Sequence, residues 1–71
     1  MELEHSTEER LRREVAADRL RAIADELSRQ NEVSFEREGR RFTVKVPDEV
    51  NFKFEVEIGD DESEIEIELT W

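Results

Sequence analysis

Apolar and polar residues take turns without a miss along Glu64-Ile-Glu-Ile-Glu-Leu-Thr-Trp71. Ile65, Ile67, Leu69 and Trp71 share one parity; Glu64, Glu66, Glu68 and Thr70 share the other. A period of two predicts a strand with one dry face and one wet face. The same alternation runs through Val50, Phe52, Phe54, Val56 and Ile58, and Gly59-Asp-Asp-Glu62 separates the two runs. If those loop residues join a hairpin, Val56 faces Ile65, Phe54 faces Ile67 and Phe52 faces Leu69 on the dry side. On the wet side Glu57 then faces Glu64, Glu55 faces Glu66 and Lys53 faces Glu68. Like charges directly opposed weaken a sheet. A local conflict in an otherwise consistent sequence is where a functional surface is expected.

Upstream, Val33-Ser-Phe-Glu36 and Arg41-Phe-Thr-Val-Lys-Val46 alternate around Glu38-Gly39. Gly39 supplies the positive φ of a tight hairpin turn. That turn places Phe35 opposite Phe42 and Val33 opposite Val44 inside, with Glu36–Arg41, Ser34–Thr43 and Glu32–Lys45 outside, all compatible pairs. Pro47 cannot donate to a ladder and closes the second strand. Met1 to His5 alternates and predicts a short first strand. Ser6 and Glu9 have capping-box spacing, and Glu8 and Glu9 suit the positive end of a helix. Leu11, Val15, Ala16, Leu20, Ile23, Ala24 and Leu27 then form one stripe at helical spacing, ending at Gln30-Asn31.

The predicted fold is α+β, a single domain over residues 1–71. One long helix (about residues 7–29) packs on a mainly antiparallel sheet of four to five strands, in the order β-α-β-β-β-β. The first strand lies beside either the second or the last. In this reading the four phenylalanines, Ile65, Ile67 and Leu69 line the core. Trp71 is the structural anchor that closes it, the alternative being an exposed anchor for a partner.

Charge changes the picture more than length does. The net charge is −10, and residues 48–71 hold ten acids against the single base Lys53. The acidity thus belongs to one segment, and nucleic acid is not an expected partner. The chain has no cysteine, so disulfides and thiolate metal sites are excluded. No apolar run approaches the ~18 residues of a membrane span, so no membrane partner is expected and the expected location is cytoplasmic. An enzyme needs convergent titratable groups. Here His5 is the sole histidine, tyrosine is absent, and Gly39 and Gly59 are isolated. His5 reads as a strand-end or helix-cap residue. Asp60-Asp61-Glu62 and Glu64 read as a solvated acidic turn, since their spacing is not that of a calcium loop. The expectation is no enzyme, no catalytic residue, no cofactor and no metal site.

Leu20-Arg-Ala-Ile-Ala-Asp-Glu-Leu27, Val46-Pro-Asp-Glu-Val50 and Glu64 through Trp71, in this order and spacing, resemble the amphi-Trp domain family. That family is named for an amphipathic strand pattern and a C-terminal tryptophan. The resemblance covers essentially the whole chain and implies a small domain of uncharacterised function, with no catalytic residue carried over. The regular patterning also suits an idealised designed sequence. The layout is similar to a cystatin-like arrangement, without a cystatin inhibitory motif.

Two functional expectations follow. The first is a non-catalytic protein-interaction module whose acidic sheet face, Glu55, Glu57, Glu64, Glu66 and Glu68, engages a basic protein or peptide. A merely solvated face and an adaptation to high salt are its plainer alternatives. The second is a self-associating structural domain, a homo-oligomer formed through a sheet edge or an uncovered sheet face.

Overall fold

Glu38 and Gly39 both sit in the left-handed region, at φ 53° and 74°. Two such residues make the turn whose twist matches that of the flanking strands. β1 (Glu32–Arg37) and β2 (Arg40–Lys45) therefore pair antiparallel in the predicted register, Phe35 with Phe42 and Val33 with Val44. The Phe35 and Phe42 rings stack at 5.4 Å between centroids. A backbone bond from Val46 N–H to the Asn31 carbonyl, 2.9 Å, extends the open end of this hairpin.

The computed structural model describes residues 2–71, every residue but Met1. β3 (Asn51–Ile58) and β4 (Ser63–Thr70) form a second antiparallel hairpin. Its register is also the predicted one, with Val56 opposite Ile65, Phe54 opposite Ile67 and Phe52 opposite Leu69. The turn closes through Gly59 N–H donating to the Glu62 carbonyl at 3.0 Å. A Cβ on Gly59 would stand 2.8 Å from that same oxygen, so the turn requires glycine by close approach.

α1 (Arg13–Gln30) precedes both hairpins. At ~1.5 Å per residue it is about 27 Å long. It ends on Asn31 in the left-handed conformation, φ 56° and ψ 29°, a position asparagine tolerates without a glycine. The class is α+β as predicted: the described residues form one helix and four antiparallel strands.

Three features depart from the sequence reading. The helix begins at Arg13 and not near residue 7, and its N-cap, Arg12, makes no side-chain capping bond. Residues 2–12 instead run as irregular chain held by distant partners. Both Glu9 carboxylate oxygens accept from Arg19, at 3.2 and 3.1 Å. Arg37 donates to the Glu4 carbonyl at 3.0 Å, and the His5 ring stacks on Phe35 at 4.5 Å. Glu9 is thereby committed to Arg19, ten residues away. A capping box contributes only about 1 kcal/mol, which such contacts can outweigh. For the same reason the expected first strand is absent at residues 2–5; its first residue, Met1, lies outside the described residues.

The third departure is in the sheet. The four strands form two separate two-stranded sheets, β1-β2 and β3-β4. A single, mainly antiparallel sheet of four to five strands was expected. Pro47 lacks the donor that would start a third ladder and holds Val46 extended, and residues 46–50 run on irregularly between the hairpins. One helix stripe then has two splayed hairpins to cover. Among the described residues none is fully buried. The accessible surface is 7076 Å², where a compact chain of 8.5 kDa exposes about 4,700 Å². The radius of gyration, 14.0 Å, likewise exceeds the roughly 11 Å of a compact chain of this length.

Candidate interaction surface

The β3-β4 hairpin has two faces of opposite character, and strand alternation is the reason. On the outer face Glu55 stands opposite Glu66, Glu57 opposite Glu64, and Lys53 opposite Glu68. Lys53 is the only base on this face. Its Nζ lies 3.1 Å from Glu55 Oε2 and 3.7 Å from Glu66 Oε1. The hydrogen bond to Glu55, then the fields of Glu66 and Glu68, hold its ammonium above the usual lysine value of 10.5. Glu57 and Glu64 have no cation within ion-pair reach among the described residues. Arg41, which could have relieved Glu55 from a neighbouring strand, belongs to the separate sheet. All five glutamates of the predicted acidic face are therefore brought together on one side of one hairpin, and one lysine partly compensates them.

The inner face carries Phe52, Phe54, Val56 and Ile58 from β3 and Ile65, Ile67 and Leu69 from β4. Its alternation is as predicted, but it is not dry. Phe52 is 63% exposed, Phe54 60%, Ile65 68% and Ile58 83%. The proximal part faces α1 across a gap: Leu20, Ile23, Ala24 and Leu27 line a cavity of about 280 Å³ with Phe52, Ile67 and Leu69. Trp71 lines a neighbouring cavity of about 240 Å³ with Ile23, Leu27, Val33, Val44, Val46 and Leu69, and is itself 64% exposed. Toward the N-terminal end of α1, Arg13, Ala16, Ala17 and Leu20 line a further cavity with Ile65 and Ile67, and at the hairpin tip Val56, Ile58 and Ile65 border a shallow groove together with Glu57, Ser63 and Glu64.

The carboxylates stand on an open, exposed face. His5 lies against Phe35, at the other hairpin. Among the described residues no three carboxylate or imidazole groups converge on a possible metal position, and no helix is long and apolar enough to cross a membrane. The tip residues Phe54, Val56 and Ile58 are the surface that periodicity alone did not single out. Their only signal is arithmetic: one helical stripe has too little width for every strand that points at it.

No curated protein and no solved structure matches the chain. A family profile described as the Amphi-Trp domain matches residues 1–71, the whole of it. The chain belongs to the Amphi-Trp domain family, whose function is uncharacterised.

Proposed function

We propose that this chain is a non-catalytic association domain, one that covers its apolar surface only on meeting another protein surface. The observation that carries this reading is the 7076 Å² of accessible surface, without one fully buried residue among the described ones. The excess over a compact chain, roughly 2,400 Å², is on the scale of what specific and obligate interfaces bury, about 1,200–5,000 Å² in total. Apolar patches of more than a few hundred Å² are rare on monomers and accompany binding sites.

A dilution experiment tests it. At low concentration the chain should scatter with a radius of gyration near 14.0 Å and bind a hydrophobic dye. On association the dye signal should fall, while the radius of gyration rises with the mass of the complex. A dilute chain that binds no dye and scatters near about 11 Å has closed its core by itself, which would end the proposal.

A second reading concerns the outer face of the same hairpin. The opposed pairs Glu55–Glu66 and Glu57–Glu64 favour a basic protein or peptide as an additional partner on that side. Such binding weakens as salt rises, because exposed charges are screened beyond about 10 Å at 0.1 M. An affinity indifferent to ionic strength, or unchanged with the five glutamates replaced by glutamine, rules it out.

A further inference from the structure

We propose that the gap between α1 and the β3-β4 sheet is a binding cleft for a free long-chain carboxylate, with the acyl chain lying along α1 and the head group at Arg13. This goes beyond the association reading, which keeps the tip residues Phe54, Val56 and Ile58 for a protein partner. Separation is the first observation. Among the described residues no Cα of α1 comes within 8 Å of β3 or β4, although α1 does approach β1. Three cavities of about 460, 280 and 240 Å³ lie in the space left between them. Leu20 and Ile67 line both the first and the second; Ile23, Leu27 and Leu69 line both the second and the third. They therefore join into one cleft. On α1 it runs from Arg13 to Leu27, about 21 Å at ~1.5 Å per residue. On the opposite wall it runs from Ile65 to Trp71, about 20 Å of extended chain.

Width and lining select the occupant. Spread over that length, the three volumes leave a cross-section of at most about 50 Å², whereas a helix with its side chains needs about 80–110 Å². An extended peptide is thin enough, but its N–H and C=O groups would be sealed between side chains without partners. A hydrocarbon chain is thin and carries no polar group. About 16 carbons span the cleft, each C–C bond advancing about 1.25 Å along the zigzag.

Charge places the head group. Arg13 is the one charged residue that lines the cleft, and it stands at one end. Its guanidinium makes a long, exposed contact of 3.4 Å with Glu14, which a bidentate carboxylate can displace. The glutamates of β3 and β4 sit on the other side of their strands.

Trp71 is the only tryptophan, is 64% exposed and lines the far end of the cleft, so its emission reports filling. Titration of the full chain with dodecanoate, tetradecanoate and hexadecanoate below their micellar concentrations, followed by Trp71 fluorescence and calorimetry, tests the proposal. The expected result is one ligand per chain and a blue shift of Trp71. Affinity should rise about tenfold for each two added methylenes, and octadecanoate should gain nothing further. Ala24→Phe fills the middle of the cleft and should weaken tetradecanoate binding at least about tenfold, with a urea midpoint no lower than wild type. Arg13→Gln changes a side chain that is 93% exposed, so the fold is kept whatever Ala24→Phe does. It should weaken tetradecanoate about threefold and leave tetradecanol unchanged. Uptake that never saturates, or affinity indifferent to chain length, would overturn the cleft. So would a folded Ala24→Phe chain that binds tetradecanoate like wild type. A loss in Arg13→Gln that tetradecanol shares would overturn the head-group assignment. A chain that ignores every carboxylate would overturn the whole proposal, in favour of a bilayer if it sediments with phosphatidylcholine vesicles, or of a second copy if it dimerises with the same Trp71 shift. The dilution experiment decides the association reading independently of these results.

Discussion

Glu57→Lys reverses the charge of one member of the least compensated pair in the protein. Glu57 and Glu64 face each other directly, and neither has a cation in reach among the described residues. Cβ atoms of opposed residues lie about 4.5–5.5 Å apart, which puts the two charges roughly 6 Å apart. In water that repulsion is about 0.7 kcal/mol. Reversing one sign turns it into an attraction of similar size, a change of about 1.4 kcal/mol before screening. With a Debye length of about 10 Å at 0.1 M salt and 3 Å at 1 M, roughly 0.8 kcal/mol remains at the lower strength and a few tenths at the higher. For a chain of this size 1 kcal/mol shifts Tm by about 4–8 °C. Thermal unfolding followed by circular dichroism, at one chain concentration so that self-association is held constant, should show Glu57→Lys melting a few degrees above wild type at 0.1 M. The gain should nearly vanish at 1 M. Glu2→Lys makes the same change in net charge away from the hairpin and should recover little of the gain. A gain that persists undiminished at 1 M, or is matched by Glu2→Lys, would refute the pairwise explanation.

Other perturbations test other parts of the fold. Gly59→Ala sets a methyl 2.8 Å from the Glu62 carbonyl and should cost about 1–2 kcal/mol in urea unfolding through loss of the turn bond. Gly39→Ala meets no atom within 4 Å, so its cost, about 1 kcal/mol, should come from the φ of 74° alone. Arg12→Ser gives α1 the side-chain cap it lacks and should raise stability by about 1 kcal/mol, with a small increase in helical ellipticity. The raised pKa of Lys53 implies a contribution to stability that is fully present below pH 10.5 and lost as pH rises through the folded value. Urea midpoints should accordingly fall on the alkaline side of 10.5 in wild type and fall less in Lys53→Met; equal slopes would contradict that pairing.

Local elements were legible from residue order because local rules set them. Period-two alternation defined all four strands, and Gly39 and the four-residue loop at Gly59 set both registers down to the opposed glutamates. The acidic face was therefore readable from the chain alone, since parity and register together decide which side chains are neighbours. At the N-terminus local and distant contacts compete, and the distant ones decide. Capping-box spacing at Ser6 and Glu9 predicts a helix start, yet Glu9 is held by Arg19 and Glu4 by Arg37, contacts that no local window contains.

Coverage was the other quantity that only the tertiary structure decided. Alternation says which side of a strand is apolar; it does not say what stands opposite that side. Phe54, Ile58 and Ile65 have the pattern of core residues, but the break at Pro47 leaves two hairpins for one helix, and those side chains remain in solvent. The physical reason is that burial depends on the spacing between whole elements, set by connections and long-range contacts. Periodicity depends only on the geometry of the backbone at each residue.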